Sequence, residues 1–284
     1  PSLPEEFTPD VAAARTLIAR ALNDGRGGLN EYEAIQLLAT YGIPVAETRL
    51  ARSPDEAAAM AAQLRPLVAL KIMTPEAVTQ PRVGGVARYI GSPDAVRQAA
   101  TTMLTQLREV APAARFNGFV LQPVVAREGA YKLTVGVRAG GGFGPVIYFG
   151  QGGAETEAID DLAYGLPPLN LHLAREMMAQ TRIYQRLRYS LLRRANLNAL
   201  ALTLVKVSQM VVDLNELAEL DINPLWANAR GVVALDARVR LTPTANISTQ
   251  RLAIRPYPKE LEETIVLSNG RELLLRPVLP EDEP

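Results

Sequence analysis

A chain of 284 residues with 30 basic and 30 acidic side chains carries no formal net charge. No global field draws it to nucleic acid or to an anionic membrane, and any anion site must be local. The absence of cysteine excludes disulfides, thiolate catalysis and cysteine-ligated metal, and a single histidine, His172, excludes a multi-histidine metal site.

No apolar run approaches the roughly 18–20 residues that cross a bilayer, which fits a cytoplasmic globular protein. The chain starts without Met and stops just after a new hairpin signal, so it reads as a fragment of a larger protein.

Pro1 to Pro9 is an irregular lead-in, followed by helical spacing of apolar residues over Asp10–Asn23 that stops at Asp24-Gly25. Asn30 with Glu33 forms a capping-box pattern opening a helix over Glu31–Tyr41, which Gly42 closes. Ser53-Pro54-Asp55 and Ser92-Pro93-Asp94 each supply a Ser cap, Pro at the first helical position and early acids, so two more helices start there.

Strands are expected at Val45–Ala51, Leu67–Met73, Gly85–Ile90, Gly118–Val125, Leu133–Val137 and Pro145–Phe149. One long helix over Leu171–Leu192 and another over Leu197–Asp213 follow, then strands at Glu219–Ile222 and Val232–Asp236. Thr242–Tyr257 reads as a linker, and Thr264–Leu267 with Arg271–Leu275 as a hairpin around Asn269-Gly270. Single strands alternating with helices argue for an α/β or α+β layered fold.

Three segments could carry chemistry. Gly140-Gly141-Gly142-Phe143-Gly144 and Gly150-Gln151-Gly152-Gly153 flank one strand, where bare backbone N–H groups could close on phosphate. The alternative is a hairpin between flexible turns. Lys71 interrupts the apolar strand Leu67–Ile72, and its ammonium needs an anion there, either a phosphate or a neighbouring acid. In Glu219-Leu220-Asp221-Ile222-Asn223 the polar residues alternate onto one strand face. If the next strand is an antiparallel neighbour, Asn223 and Asp236 can converge on one hard cation such as Mg²⁺. A solvated sheet face is the alternative. The arginines from Arg182 to Arg194 read as a solvated helix face, and His172 as structural.

Tyr41-Gly42-Ile43-Pro44-Val45, the Lys71 strand, Val83-Gly84-Gly85-Val86, Phe143-Gly144-Pro145 through Gly153, and Glu219 to Pro224 occur in that order. Together, over roughly Leu29 to Leu241, they resemble the ATP-grasp, β-subunit-like part of ADP-forming acyl-CoA synthetases, relatives of succinyl-CoA synthetase. The resemblance implies a two-lobed α+β ATP-grasp fold with a nucleotide cleft between lobes at Pro1–Val125 and Ala126–Leu241.

By position, Lys71 resembles the lysine that contacts nucleotide phosphate, and Gly84 and Gly85 the small phosphate-covering loop. Gln122, Pro123 and Val124 fall where the hinge meets adenine through backbone groups. Gly150, Gly152 and Gly153 resemble the phosphate-facing loop, and Asn223 and Asp236 the Mg²⁺ ligands. The implied cofactors are ATP and Mg²⁺, with CoA or acetyl-CoA bound in the parent protein.

Residues 242–284, with Leu252 to Pro258 and Leu275 to Pro284, resemble the junction in Pat-type bacterial protein lysine acetyltransferases, where a GNAT domain follows. Three departures from the synthetase pattern stand out: Thr79-Gln80-Pro81-Arg82 replaces the stretch with a phosphate-relaying histidine, Lys132 replaces a glutamate, and Gly140-Gly141 replaces Asp-Pro.

The resulting expectation is a nucleotide-binding, ligase-degenerate regulatory module of an acetyltransferase. Its expected partners are nucleotide and the CoA-binding and GNAT domains of one parent chain, with homo-oligomers possible. An active ADP-forming acyl-CoA synthetase part is the alternative.

Overall fold

The computed structural model describes residues 7–64, 67–74, 85–124, 129–139, 141–153, 160–190, 194–243, 251–254, 262–267 and 271–277. Gly84, Gly140, Thr79 to Arg82, the 268–270 turn and the chain end from 278 lie outside them.

Two separate hydrophobic cores define two lobes. The small lobe is a four-stranded antiparallel sheet in the order β2 (Arg49–Ala51), β5 (Gly118–Pro123), β3 (Val68–Met73), β4 (Val86–Ile90). Helices α3 (Pro54–Ala61) and α4 (Pro93–Val110) cover one face through Ala57, Val96, Ala100, Met103 and Leu107. Both open as the sequence predicts, with the Ser53 and Ser92 hydroxyls accepting from Glu56 and Ala95 N–H. Side-chain alternation along β3 sends Val68, Leu70 and Ile72 into this core. Lys71 is thereby turned to the opposite face, toward the large lobe.

The large lobe holds a seven-stranded antiparallel sheet. Its path runs β1 (Gly28–Leu29), β11 (Ala237–Leu241), β9 (Leu217–Asn228), β6 (Tyr131–Ala139), β7 (Pro145–Gln151), β8 (Leu162–Gly165), with β10 (Gly231–Ala234) also paired to β9. Helices α1 (Val11–Asn23), α2 (Glu31–Thr40), α5 (Leu171–Ala179), α6 (Arg182–Tyr189) and α7 (Leu197–Asp213) pack on it.

The lobes do not divide the chain at 125/126. Residues 14–43 contribute to the large core, because the small sheet's apolar face is already covered by α3 and α4 while Ile18, Ile35, Leu37 and Leu38 need their own partner. From Phe7 on, the described chain therefore runs first in the large lobe, crosses to the small one near β2, and returns after β5.

One expected helix is two. Between α5 and α6 the chain breaks at Gln180-Thr181, where the Asp161 carboxylate accepts the Arg182 and Ile183 N–H groups at 2.8 Å and starts a new helix. The expected linker is also partly built. Leu252 is buried in the large core, and Arg251 donates to the carbonyls of Val211, Leu214 and Leu217 at the end of α7. β12 (Glu263–Val266) and β13 (Glu272–Leu275) form the expected hairpin. Among the described residues no helix is long and apolar enough to cross a membrane.

Candidate nucleotide site

A cavity of about 730 Å³ opens where the lobes face each other. Ile72, Met73 and Thr74 line it from the small lobe; Asn30 and Glu31 at the start of α2, with residues of β6, β7, β9 and β11, line it from the large one. Glu219, Asp221 and Asn223 all reach this wall, as the alternation along β9 predicts.

Lys71 meets the large lobe across the gap. Its ammonium lies 2.5 Å from Glu31 Oε1 and 3.5 Å from Asp236 Oδ2. β9 and β11 are antiparallel neighbours, Ile222 opposite Ala237, and the Asn223 N–H donates to the Asp236 carbonyl at 3.3 Å. Asn223 and Asp236 are thus adjacent, and the ammonium lies beside the Asp236 carboxylate.

The electrostatics of this cluster are unequal. Burial opposes the charge on Lys71, but Glu31 and Asp236 together outweigh it, so its pKa stands above the ordinary lysine value. Glu31 is raised, first by burial and then by Asp236; Lys71 and Arg238 pull it down without cancelling the rise. Two carboxylates share one ammonium, with the Arg238 charge close enough to act on Glu31.

A second polar group completes the wall. Asp221 Oδ1 accepts the Tyr148 hydroxyl at 2.7 Å and the Thr134 hydroxyl at 3.1 Å. Burial first, and the Asp221 charge second, raise the Tyr148 pKa, so its hydroxyl stays a donor. The Arg138 guanidinium lies over the Tyr164 and Tyr148 rings, 4.4 and 5.7 Å from their centroids, at the rim.

Other residues expected at the site serve different ends. Gln122 Nε2 donates to the Leu235 carbonyl (3.0 Å) and to Thr48 Oγ1 (3.1 Å), tying small lobe to large, while the Val124 N–H donates to Leu67 O at 2.7 Å. Neither they nor Pro123 lines the cavity. Gly85 is buried, its carbonyl accepting the Ile72 N–H.

Gly150 and Gly152 do not face the cavity either. Gly150 is paired on both sides, with Thr134 and Leu162, and Gly152 packs against the Leu133 backbone, so both are glycine because strands approach closely. Gly153, at φ +107°, gives its N–H to Asn223 Oδ1 at 2.9 Å and is the one glycine of that loop tied to the cluster. Lys132 is exposed and outside the lining, and His172 lies 3.2 Å from Glu176 on the solvent face of α5.

Glu31, Thr134 and Tyr148 were not singled out in the sequence. Glu31 looks there like any acid in a first helical turn, and only the chain crossing back between lobes reveals its partner.

A family model described as an ATP-grasp domain matches residues 20–241. The chain belongs to the ATP-grasp family. It is 32% identical over 232 residues to the acetate–CoA ligase [ADP-forming] I subunit beta of Pyrococcus furiosus, covering 81% of this chain and 99% of that one. It is also 32% identical to the acetate–CoA ligase [ADP-forming] I of Archaeoglobus fulgidus, of which it spans 33%.

A solved structure of the Ca. Korarchaeum cryptofilum dinucleotide-forming acetyl-coenzyme A synthetase 1, in complex with coenzyme A and Ca-AMPCP, superposes with a TM-score of 0.74 at 31% identity. The match covers 81% of this chain and 100% of that one. The two lobes described above are thus an α+β ATP-grasp fold. The Pyrococcus and Archaeoglobus relatives are ADP-forming acetate–CoA ligases by name, which overturns the expectation of a regulatory, ligase-degenerate module of a lysine acetyltransferase; that expectation rested on a short segment, Leu252 to Pro284, outside the matched residues 20–241.

Proposed function

We propose that this chain is the nucleotide-binding, β-type part of an ADP-forming acyl-CoA synthetase, and that the cleft between its lobes holds the polyphosphate of ATP. One observation carries the reading: Lys71 of the small lobe, itself outside the lining, stands 3.5 Å from Asp236 of the large lobe, which lines a cavity of about 730 Å³. An ammonium on one side and an amide–carboxylate pair on the other suit a triphosphate with its divalent cation. The names of the relatives support the chemistry, since the Korarchaeum enzyme binds a nucleotide analogue and coenzyme A.

The donors fit Mg²⁺. Asn223 and Asp236 present hard oxygens; among the described residues no cage of three or more His, Asp or Glu side chains gathers. A cation here would keep water and phosphate oxygens in most of its shell, as Mg²⁺ prefers. Bound Mg–ATP would supply the phosphoryl group that drives thioester formation from an acyl carboxylate and CoA, releasing ADP and phosphate.

The chain's own residues do the rest. Lys71 neutralises a phosphate oxygen, Gly153 orients the Asn223 amide through its N–H, and Tyr148 with Thr134 fixes the Asp221 carboxylate on the opposite wall.

Calorimetric titration with Mg–ATP should show binding that Lys71→Ala weakens about 10- to 100-fold, the range for losing one charge-assisted hydrogen bond. The native protein should release ADP only when CoA and an acyl carboxylate such as acetate are both supplied. Failure to bind any nucleotide would refute the reading.

A further inference from the structure

We propose that Glu31 is a built-in competitor of the nucleotide phosphates: it holds the Lys71 ammonium until a polyphosphate takes its place, and then turns to Arg238. The proposal rests on the nucleotide-site reading above and names a residue that this reading does not need.

The pair joins the two lobes. Glu31 is the first residue of α2, which packs in the large core, whereas Lys71 lies mid-strand in the small sheet. Both side chains are 13% exposed, so neither charge is well solvated and each depends on the other. At 2.5 Å Glu31 makes the close contact, while Asp236 at 3.5 Å stands beyond good hydrogen-bond range. A phosphate oxygen that reaches Lys71 therefore displaces Glu31 first. Until it does, the carboxylate also repels the incoming polyanion in a cleft where screening is weak.

Glu31 has somewhere to go. It sits at the positive end of α2, where free N–H groups favour a carboxylate. Arg238 lines the same cavity, is exposed, and already acts electrostatically on Glu31. Both features keep a released Glu31 charged within the cleft. The nucleotide-free protein thus holds its lobes together with a contact that binding exchanges.

Competition and scaffolding predict opposite signs. Glu31→Gln keeps the shape but removes the competing charge, so calorimetry should show Mg–ATP binding on the order of tenfold tighter, a usual size for a coupling of this kind. The nucleotide-free variant should melt at a lower temperature because the lobes lose one of their ties, with the Gln122 and Lys71–Asp236 contacts left in place. Glu31→Asp, one methylene shorter, should move both readouts the same way by less. Circular dichroism establishes that each variant is folded.

Unchanged or weaker binding by both folded variants, with the wild type binding normally, overturns the inference alone. No nucleotide binding by the wild type or either variant overturns the nucleotide site together with it. Binding by Glu31→Gln where the wild type binds weakly supports both.

Discussion

Replacing Gly150 with alanine separates a structural glycine from a phosphate-contacting one. Gly150 lies inside β7 with β6 on one side and β8 on the other, and has no unusual φ, so the obstacle is space alone. An added Cβ would stand 3.0 Å from the Asp161 carbonyl carbon, closer still to its oxygen, and 2.7 Å from Leu162 Cδ2. Backbone does not yield like a side-chain tip, so β8 must shift away from β7. Overpacking of this kind costs about 1–3 kcal/mol. The same movement drags Asp161, whose carboxylate starts α6 by accepting two N–H groups, and weakening that cap adds about 1 kcal/mol.

A total loss near 2–4 kcal/mol is a large share of ordinary domain stability but leaves most molecules folded. Urea unfolding should show the lower midpoint with an unchanged slope, and Mg–ATP affinity of the folded variant should stay within about twofold of wild type. A loss below about 1 kcal/mol, or a collapse of affinity without loss of stability, would refute the assignment of Gly150 to strand packing.

Three further outcomes follow from the same geometry. Tyr148→Phe should cost about 1–2 kcal/mol in urea unfolding, because Asp221 loses its shorter hydrogen bond but keeps Thr134. Lys71→Met should cost about 2–4 kcal/mol near neutral pH, the figure for breaking a buried pair reduced for the one-third exposure of Asp236.

That Lys71→Met loss should shrink on acidification. Glu31 already binds its proton more tightly folded than unfolded, so its contribution falls as pH rises above the ordinary value of 4.5. Removing Lys71 pushes it further the same way, and a titration of midpoint against pH with a flat difference would contradict this. Arg251→Ala should cost about 2–3 kcal/mol and speed amide exchange at the end of α7, since the carbonyls of Val211, Leu214 and Leu217 each lose one donor.

Much of the local structure was legible in the sequence because its causes are local. The Asn30, Ser53 and Ser92 caps act over three residues, and they open α2, α3 and α4 where the pattern placed them. Alternation along Glu219 to Asn223 put three polar side chains on one face, and the structure gives that face to the cavity. Lys71 in an apolar strand announced that an anion had to be near.

Its partner could not be read, because Glu31 is 40 positions away and meets it only after the chain has crossed between lobes and folded a sheet in between. The same holds for the lobe boundary: α1 and α2 join the large core because α3 and α4 already cover the small sheet, a competition between faces that no short window contains. The glycines mark the limit most sharply. Sequence shows where a Cβ is missing, but whether the freed space faces a phosphate or a neighbouring strand depends on what packs there, and at Gly150 that is the backbone of Asp161.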